Sequence, residues 1–120
     1  MGVYVNVRGW VEGGHKELAR AREVVRAEAD EVYGGGWGFP ERPYNGIGFV
    51  FYGAEMRESG VEGFLRQLRK IAALPPDEDG YHLVGLFLVS HEVDGMSEWQ
   101  VRDGVVHIRG GVEAYRYLDA

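Results

Sequence analysis

The dipeptide Asp103-Gly104 constrains the architecture of this chain more than any other pair of residues. Asp-Gly favours a two-residue type I′ turn, because both positions must accept a positive φ and the turn then matches the twist of the paired strands. That loop length leaves one register. Arg102 faces Val105, Val101 faces Val106, Gln100 faces His107, Trp99 faces Ile108, and Glu98 faces Arg109. One side of the hairpin then carries Trp99, Val101, Val106 and Ile108. The other carries Glu98, Gln100, Arg102, His107 and Arg109. Glu98 and Arg109 meet as an opposite-charge cross-strand pair.

The rest of the chain supplies strands and helices by period. Residues 3–12 alternate: Val3, Val5, Val7 and Val11, with Gly9 among them, share one face, and Tyr4, Asn6, Arg8, Trp10 and Glu12 share the other. Period two predicts a strand with one face in the core. Residues 15–32 read as a helix with a thin stripe of Leu18, Ala21, Val25, Ala29 and Val32, an Arg26–Asp30 pair, and a stop at Gly34. Residues 34–46 form a loop of glycine, proline and aromatics. Trp37, Phe39 and Tyr44 are costly to leave in water, so the loop is expected to fold back, with Trp37 mostly buried.

Residues 47–52 place Ile47, Phe49 and Phe51 on one side and Gly48, Val50 and Tyr52 on the other. Apolar character on both sides predicts an interior strand. Ser59-Gly60-Val61-Glu62 fits a capping box, and Val61, Phe64, Leu65, Leu68, Ile71 and Ala72 mark the buried face of a second helix. Pro75-Pro76 stops it. The apolar run 83–89 is the expected central strand, and the tail from residue 112 is expected to dock. The fold class is therefore α+β. It is a two-layer sandwich of order β-α-β-α-β-β-β over residues 1–120, with a mixed sheet, two helices on one face and a C-terminal β-hairpin.

Charge and composition narrow the function. The chain carries a net charge of −6 and no cysteine, which excludes disulfides and thiolate metal sites and suits a reducing cytosol. Residues 1–70 and 102–120 are each balanced. The whole excess comes from Asp77, Glu78, Asp79, Glu92, Asp94 and Glu98, in a stretch (71–101) without lysine or arginine. Sharing one surface, these groups would make a negative field. No basic footprint points to nucleic acid. The N-terminus does not read as a secretory signal, and the longest apolar run is too short for a bilayer, so no membrane partner is expected.

Motifs for chemistry fail on inspection. His91-Glu92 begins like HExxH, but Gly95 stands where the second histidine belongs. The glycines at 34–38 lack the Walker lysine and the last glycine of GxGxxG, and they precede a strand instead of a helix. Ser59 is better used as a helix cap, and Ser90, beside His91, has no nucleophile-elbow glycines. No cofactor, metal or catalytic residue is assigned.

What remains is a binding surface. Tyr4, Arg8 and Trp10 from the first strand, and Glu98, Gln100, Arg102, His107 and Arg109 from the hairpin, would share the outer sheet face; Trp37, Phe39 and Tyr44 would lie in the loop, and Asp77, Glu78 and Asp79 in the acidic segment. Tyrosine, tryptophan and arginine are the types enriched at protein interfaces. The expectation is a small acidic protein-binding module of the inhibitor or immunity kind, neutralising a partner protein, for instance a basic one such as a nuclease. The alternative is a small-ligand protein or enzyme. Its site would lie between the sheet and the 34–46 loop, with Trp10 and Trp37 as walls and Arg8, His107 and Glu98 as polar groups. Self-association through an edge strand is a third reading, and an ordinary solvated sheet face is the plain one.

Overall fold

A computed structural model describes residues 2–28, 33–40 and 46–119. One sheet holds six strands: β1 (Tyr4–Gly14), β2 (Trp37–Gly38), β3 (Ile47–Arg57), β4 (Val84–His91), β5 (Gly95–Arg102) and β6 (Val105–Arg109). Their spatial order is β2-β3-β1-β4-β5-β6. Two helices, α1 (His15–Ala27) and α2 (Val61–Ala72), pack on one face. The α+β class and the order of elements follow the sequence reading, with the two-residue β2 added.

The sheet is not mixed. Every pairing is antiparallel. β3 and β4 do run in the same direction, but β1 lies between them and opposes both. The α2 connection thus steps over a strand, and no two parallel strands become neighbours.

The hairpin forms in the expected register at all five pairs. Asp103 (φ 55°) and Gly104 (φ 79°) both take the left-handed conformation that a type I′ turn requires. In β1 the alternation also holds, and Val5, Val7 and Val11 are fully buried against the helices. The centre of the core is an aromatic cluster. The Phe64 ring of α2 lies 4.4 Å from Tyr52, 5.6 Å from Phe87, 5.9 Å from Trp37 and 6.1 Å from Trp99. Offset and edge contacts at these separations add to the area buried.

Four local expectations are corrected. β3 is not interior along its length: β1 pairs with all of it, but β2 reaches only Phe51 and Tyr52, so among the described residues most of its other edge has no strand partner. The capping box does not form. Residues 58–60 make a 3₁₀ turn running straight into α2, so the cap position falls on Gly60 and Ser59 makes no cap hydrogen bond. α1 ends at Ala27 instead of reaching 32, and Arg26 pairs with Glu23 (3.0 Å). The stripe members Ala29 and Val32, and the expected partner Asp30, lie outside the described residues, as does Tyr44. The acidic groups do not share one surface either. Asp77, Glu78 and Asp79 precede β4 and Glu92 and Asp94 follow it. Eight strand residues separate the groups by roughly 27 Å, well beyond a Debye length of about 8 Å.

Tyr52 gives the core a pH signature. Its hydroxyl donates to the Tyr33 carbonyl (2.9 Å), and burial, with the nearby Tyr33 phenol as a smaller cause, pushes its pKa from 10.0 up to about 12. The folded state therefore holds this proton more tightly than the unfolded chain. The contribution is complete below pH 10 and is lost as pH rises toward 12. Urea unfolding at pH 9, 10.5 and 12 should show a steeper loss of stability in the wild type than in Tyr52→Phe. Equal slopes would disprove the assignment.

Candidate protein-binding face

Both helices cover the same side of the sheet, so among the described residues the other side is covered only by the chain's tail. Side chains on that bare side fall into rows set by the strand register. One row is Phe51, Trp10, Leu86, Gln100 and His107, and the next is Phe49, Glu12, Val84, Arg102 and Val105. On the far side of the first come Gly53, Arg8, Leu88, Glu98 and Arg109. Tyr4, Arg8, Trp10, Glu98, Gln100, Arg102, His107 and Arg109 do share this face, as the sequence predicted.

The rows divide into two halves of different character. The β5–β6 half is polar and internally paired. Gln100 Nε2 donates to Glu98 Oε2 (2.9 Å), and Arg102 Nε donates to Gln100 Oε1 (2.9 Å). Arg102 also reaches Asp103 (3.1 Å). His107 Nε2 is buried and makes no hydrogen bond. The β3–β1–β4 half is apolar. Ile47 is 60% exposed, Phe51 48% and Phe49 44%. The two phenylalanine rings stack 6.2 Å apart, only 11° from parallel. Half-buried Trp10, Leu86 and Leu88 continue the patch inward. Trp10 satisfies its indole by donating to Glu12 Oε2 (3.0 Å), which leaves its ring as contact surface.

The tail closes one end of the face. A single 3₁₀ turn, Arg116–Asp119, lies over it. Arg8 donates to the Leu118 carbonyl (3.4 Å) and to Asp119 Oδ1 (3.3 Å), and Ser90 Oγ donates to Asp119 Oδ2. Val112 N–H binds the Met96 carbonyl (3.2 Å). Met96 points away from the helices yet is 3% exposed, and this cover explains it. Arg8 is thereby committed to the tail and is not a free anion donor.

Other expected site residues lie elsewhere. Trp37 is buried on the helix side, as expected of it in isolation, but this removes it from any outer surface. Its Nε1–H donates to Gln67 Oε1 (2.8 Å), and Phe39 beside it is capped by the Arg22 guanidinium at 5.1 Å. Trp10 and Trp37 thus stand on opposite faces of the sheet and cannot wall one pocket. Where the described part of the loop meets the sheet and α2, the cavity lined by Tyr33, Tyr52 and Gln67 measures about 10 Å³. That is room for about one water. His91 is structural. Its Nδ1 accepts the backbone N–H of Val93 (3.0 Å) and Asp94 (2.9 Å), so the ring carries its proton on Nε2, which faces Glu58. Asp77 likewise builds its own turn, with Oδ1 accepting from Asp79 N–H and Tyr81 N–H (2.9 Å each).

No family model, curated protein or solved structure matches this chain.

Among the described residues, no group of histidine and carboxylate side chains is placed to hold a metal ion, and no helix is long and apolar enough to cross a membrane. The exposed aromatic pair Phe49–Phe51 is the feature that sequence reading missed. Its signal was present. Two helices on one face leave the outward apolar residues of β3 and β4 without cover from either helix.

Proposed function

We propose that this chain is a protein-binding module whose contact surface is the uncovered β3–β1–β4 half of the sheet. The supporting observation is the stacked, half-exposed Phe49–Phe51 pair beside Trp10, Leu86 and Leu88, on a face that neither helix covers. A contiguous apolar patch rimmed by polar groups marks an interaction site more often than bare solvent contact. Its aromatic content matches the cores of protein interfaces. The occupant favoured by charge is a basic protein, since the chain is net −6 and Glu12 lies within the patch while Glu98 and Glu55 flank it. A module that neutralises such a partner, in the manner of an inhibitor or immunity protein, is the function these features support.

The test uses three immobilised proteins against lysate of the source organism: wild type, Phe49→Ser/Phe51→Ser, and Arg66→Ser on the exposed side of α2. A basic protein held in stoichiometric amount by the wild type and by Arg66→Ser, and at least tenfold more weakly by the double variant, is expected. Undiminished capture by the double variant overturns the proposal. So does a wild-type dimer by light scattering that dissociates in the double variant, because the face would then serve self-association.

A further inference from the structure

At the β3 end of the bare face the sheet opens into a cavity of about 240 Å³. Its apolar walls include Ile47, Leu83 and Val84, and the acidic residues Glu12, Glu17 and Asp77 also line it. Among the described lining residues there is no lysine or arginine. His82, also in the wall, spends its Nδ1–H on the Leu74 carbonyl (3.3 Å).

Glu17 is the unusual member. It is 6% exposed, yet its carboxylate makes no hydrogen bond or ion pair with any described residue. It lies in the first turn of α1, where the helix dipole offsets part of the cost of a buried negative group. It fits there because Gly14 has no side chain: a Cβ at Gly14 would stand 2.6 Å from Glu17 Oε1. A buried carboxylate is ordinarily paired. Here it opens onto the cavity that Glu12 and Asp77 also line.

We propose that this cavity receives the arginine or lysine side chain of a protein partner docked on the bare face. The inference rests on the protein-binding reading above and adds the chemistry of one anchor. The methylene stem of such a side chain packs along Ile47 and Val84, and its charged end reaches Glu17, with Glu12 and Asp77 beside it. Continuity supports a protein source. Ile47 both lines the cavity and begins the row that leads through Phe49 to Phe51.

The probes are N-acetyl-arginine amide, N-acetyl-citrulline amide as its neutral counterpart, and the peptide N-acetyl-Leu-Leu-Arg-Leu-amide. Binding is read from amide shifts of Gly13, Gly14, Tyr81 and Val84 in nitrogen-15 spectra. The arginine probe should saturate these shifts in the millimolar range, and the citrulline probe should not move them. Glu17→Gln, which keeps the shape, should weaken the arginine probe about tenfold, and Glu12→Gln provides a second, independent reduction. The peptide should bind about tenfold more tightly than the amide, and Phe49→Ser/Phe51→Ser should remove that gain alone. Equal shifts from arginine and citrulline probes, or no loss in Glu17→Gln, overturn the cavity assignment while leaving the patch reading intact. Saturation by calcium ions in place of the arginine probe overturns it as well. A peptide gain that survives the double variant, with the Glu17 effect preserved, instead removes the patch reading and keeps the cavity.

Discussion

Replacing Gly9 with alanine is expected to lower folding stability by about 1–3 kcal/mol, toward the upper end of that range. Gly9 lies in the middle of β1, between Tyr52 of β3 and Phe87 of β4. A Cβ there would stand 2.2 Å from the Leu86 carbonyl oxygen, and 2.7 Å from both Cα and Cδ2 of Phe87. The ring can rotate away, but the carbonyl and the Cα belong to the neighbouring strand and move only if the sheet moves. Backbone crowding therefore dominates, and Gly9→Ala/Phe87→Leu should recover little. Gly53 is the internal control. It pairs with Arg8 across the adjacent ladder, and nothing lies within 4 Å of its Cβ position. Gly53→Ala should stay within about 0.5 kcal/mol of wild type. Denaturant midpoints decide both cases, and a Gly9→Ala change as small as that of Gly53→Ala would contradict the packing described.

Phe87→Ala should have a larger effect, about 3–5 kcal/mol. Native stability of a domain is only about 5–15 kcal/mol, so a substantial unfolded population is expected at moderate temperature. Phe87 is fully buried and touches both Phe64 (5.6 Å) and Trp37 (6.2 Å), so removing its ring leaves a hole that rigid neighbours cannot fill. Phe51 offers the contrast. It is also a phenylalanine within a strand, but its ring faces away from the helices, and Phe51→Ala should cost under about 1 kcal/mol. Thermal unfolding of the two variants compares the faces directly. Similar costs would mean that the bare face is covered in solution.

The contrast between these two residues shows what could be read from the chain. Where a residue's environment is set by neighbours close in sequence, the pattern was sufficient. Asp103-Gly104 specified five cross-strand pairs, and the valines at 5, 7 and 11 declared the core side of β1. Where environment depends on the position of distant segments, it was not. Apolar residues on both sides of β3 suggested an interior strand, but the pattern cannot distinguish a face covered by a helix from one that awaits a partner. Trp37 and Trp10 look alike in sequence and end on opposite sides of the sheet. Asp77, Glu78, Asp79, Glu92 and Asp94 are close in the chain, and β4 then holds the first three and the last two at its opposite ends, while Glu98 lies within β5 opposite Leu88. Glu17 carries no signal of its own in the sequence, because only the fold shows that it opens onto a cavity.

The central place of β1 has a kinetic consequence. It is the first strand in the chain, yet it pairs on one side with residues near position 50 and on the other with residues near 87. Val5 meets His91, a separation of 86 residues, and no local hairpin supplies either partner. Contacts this distant must close large loops before they return any stabilisation, which places the chain among the slower folders of its size. During synthesis β1 emerges before β3 and β4 and waits for both. Until β4 has been made, the valine face that ends in the core remains exposed on a strand with an open edge.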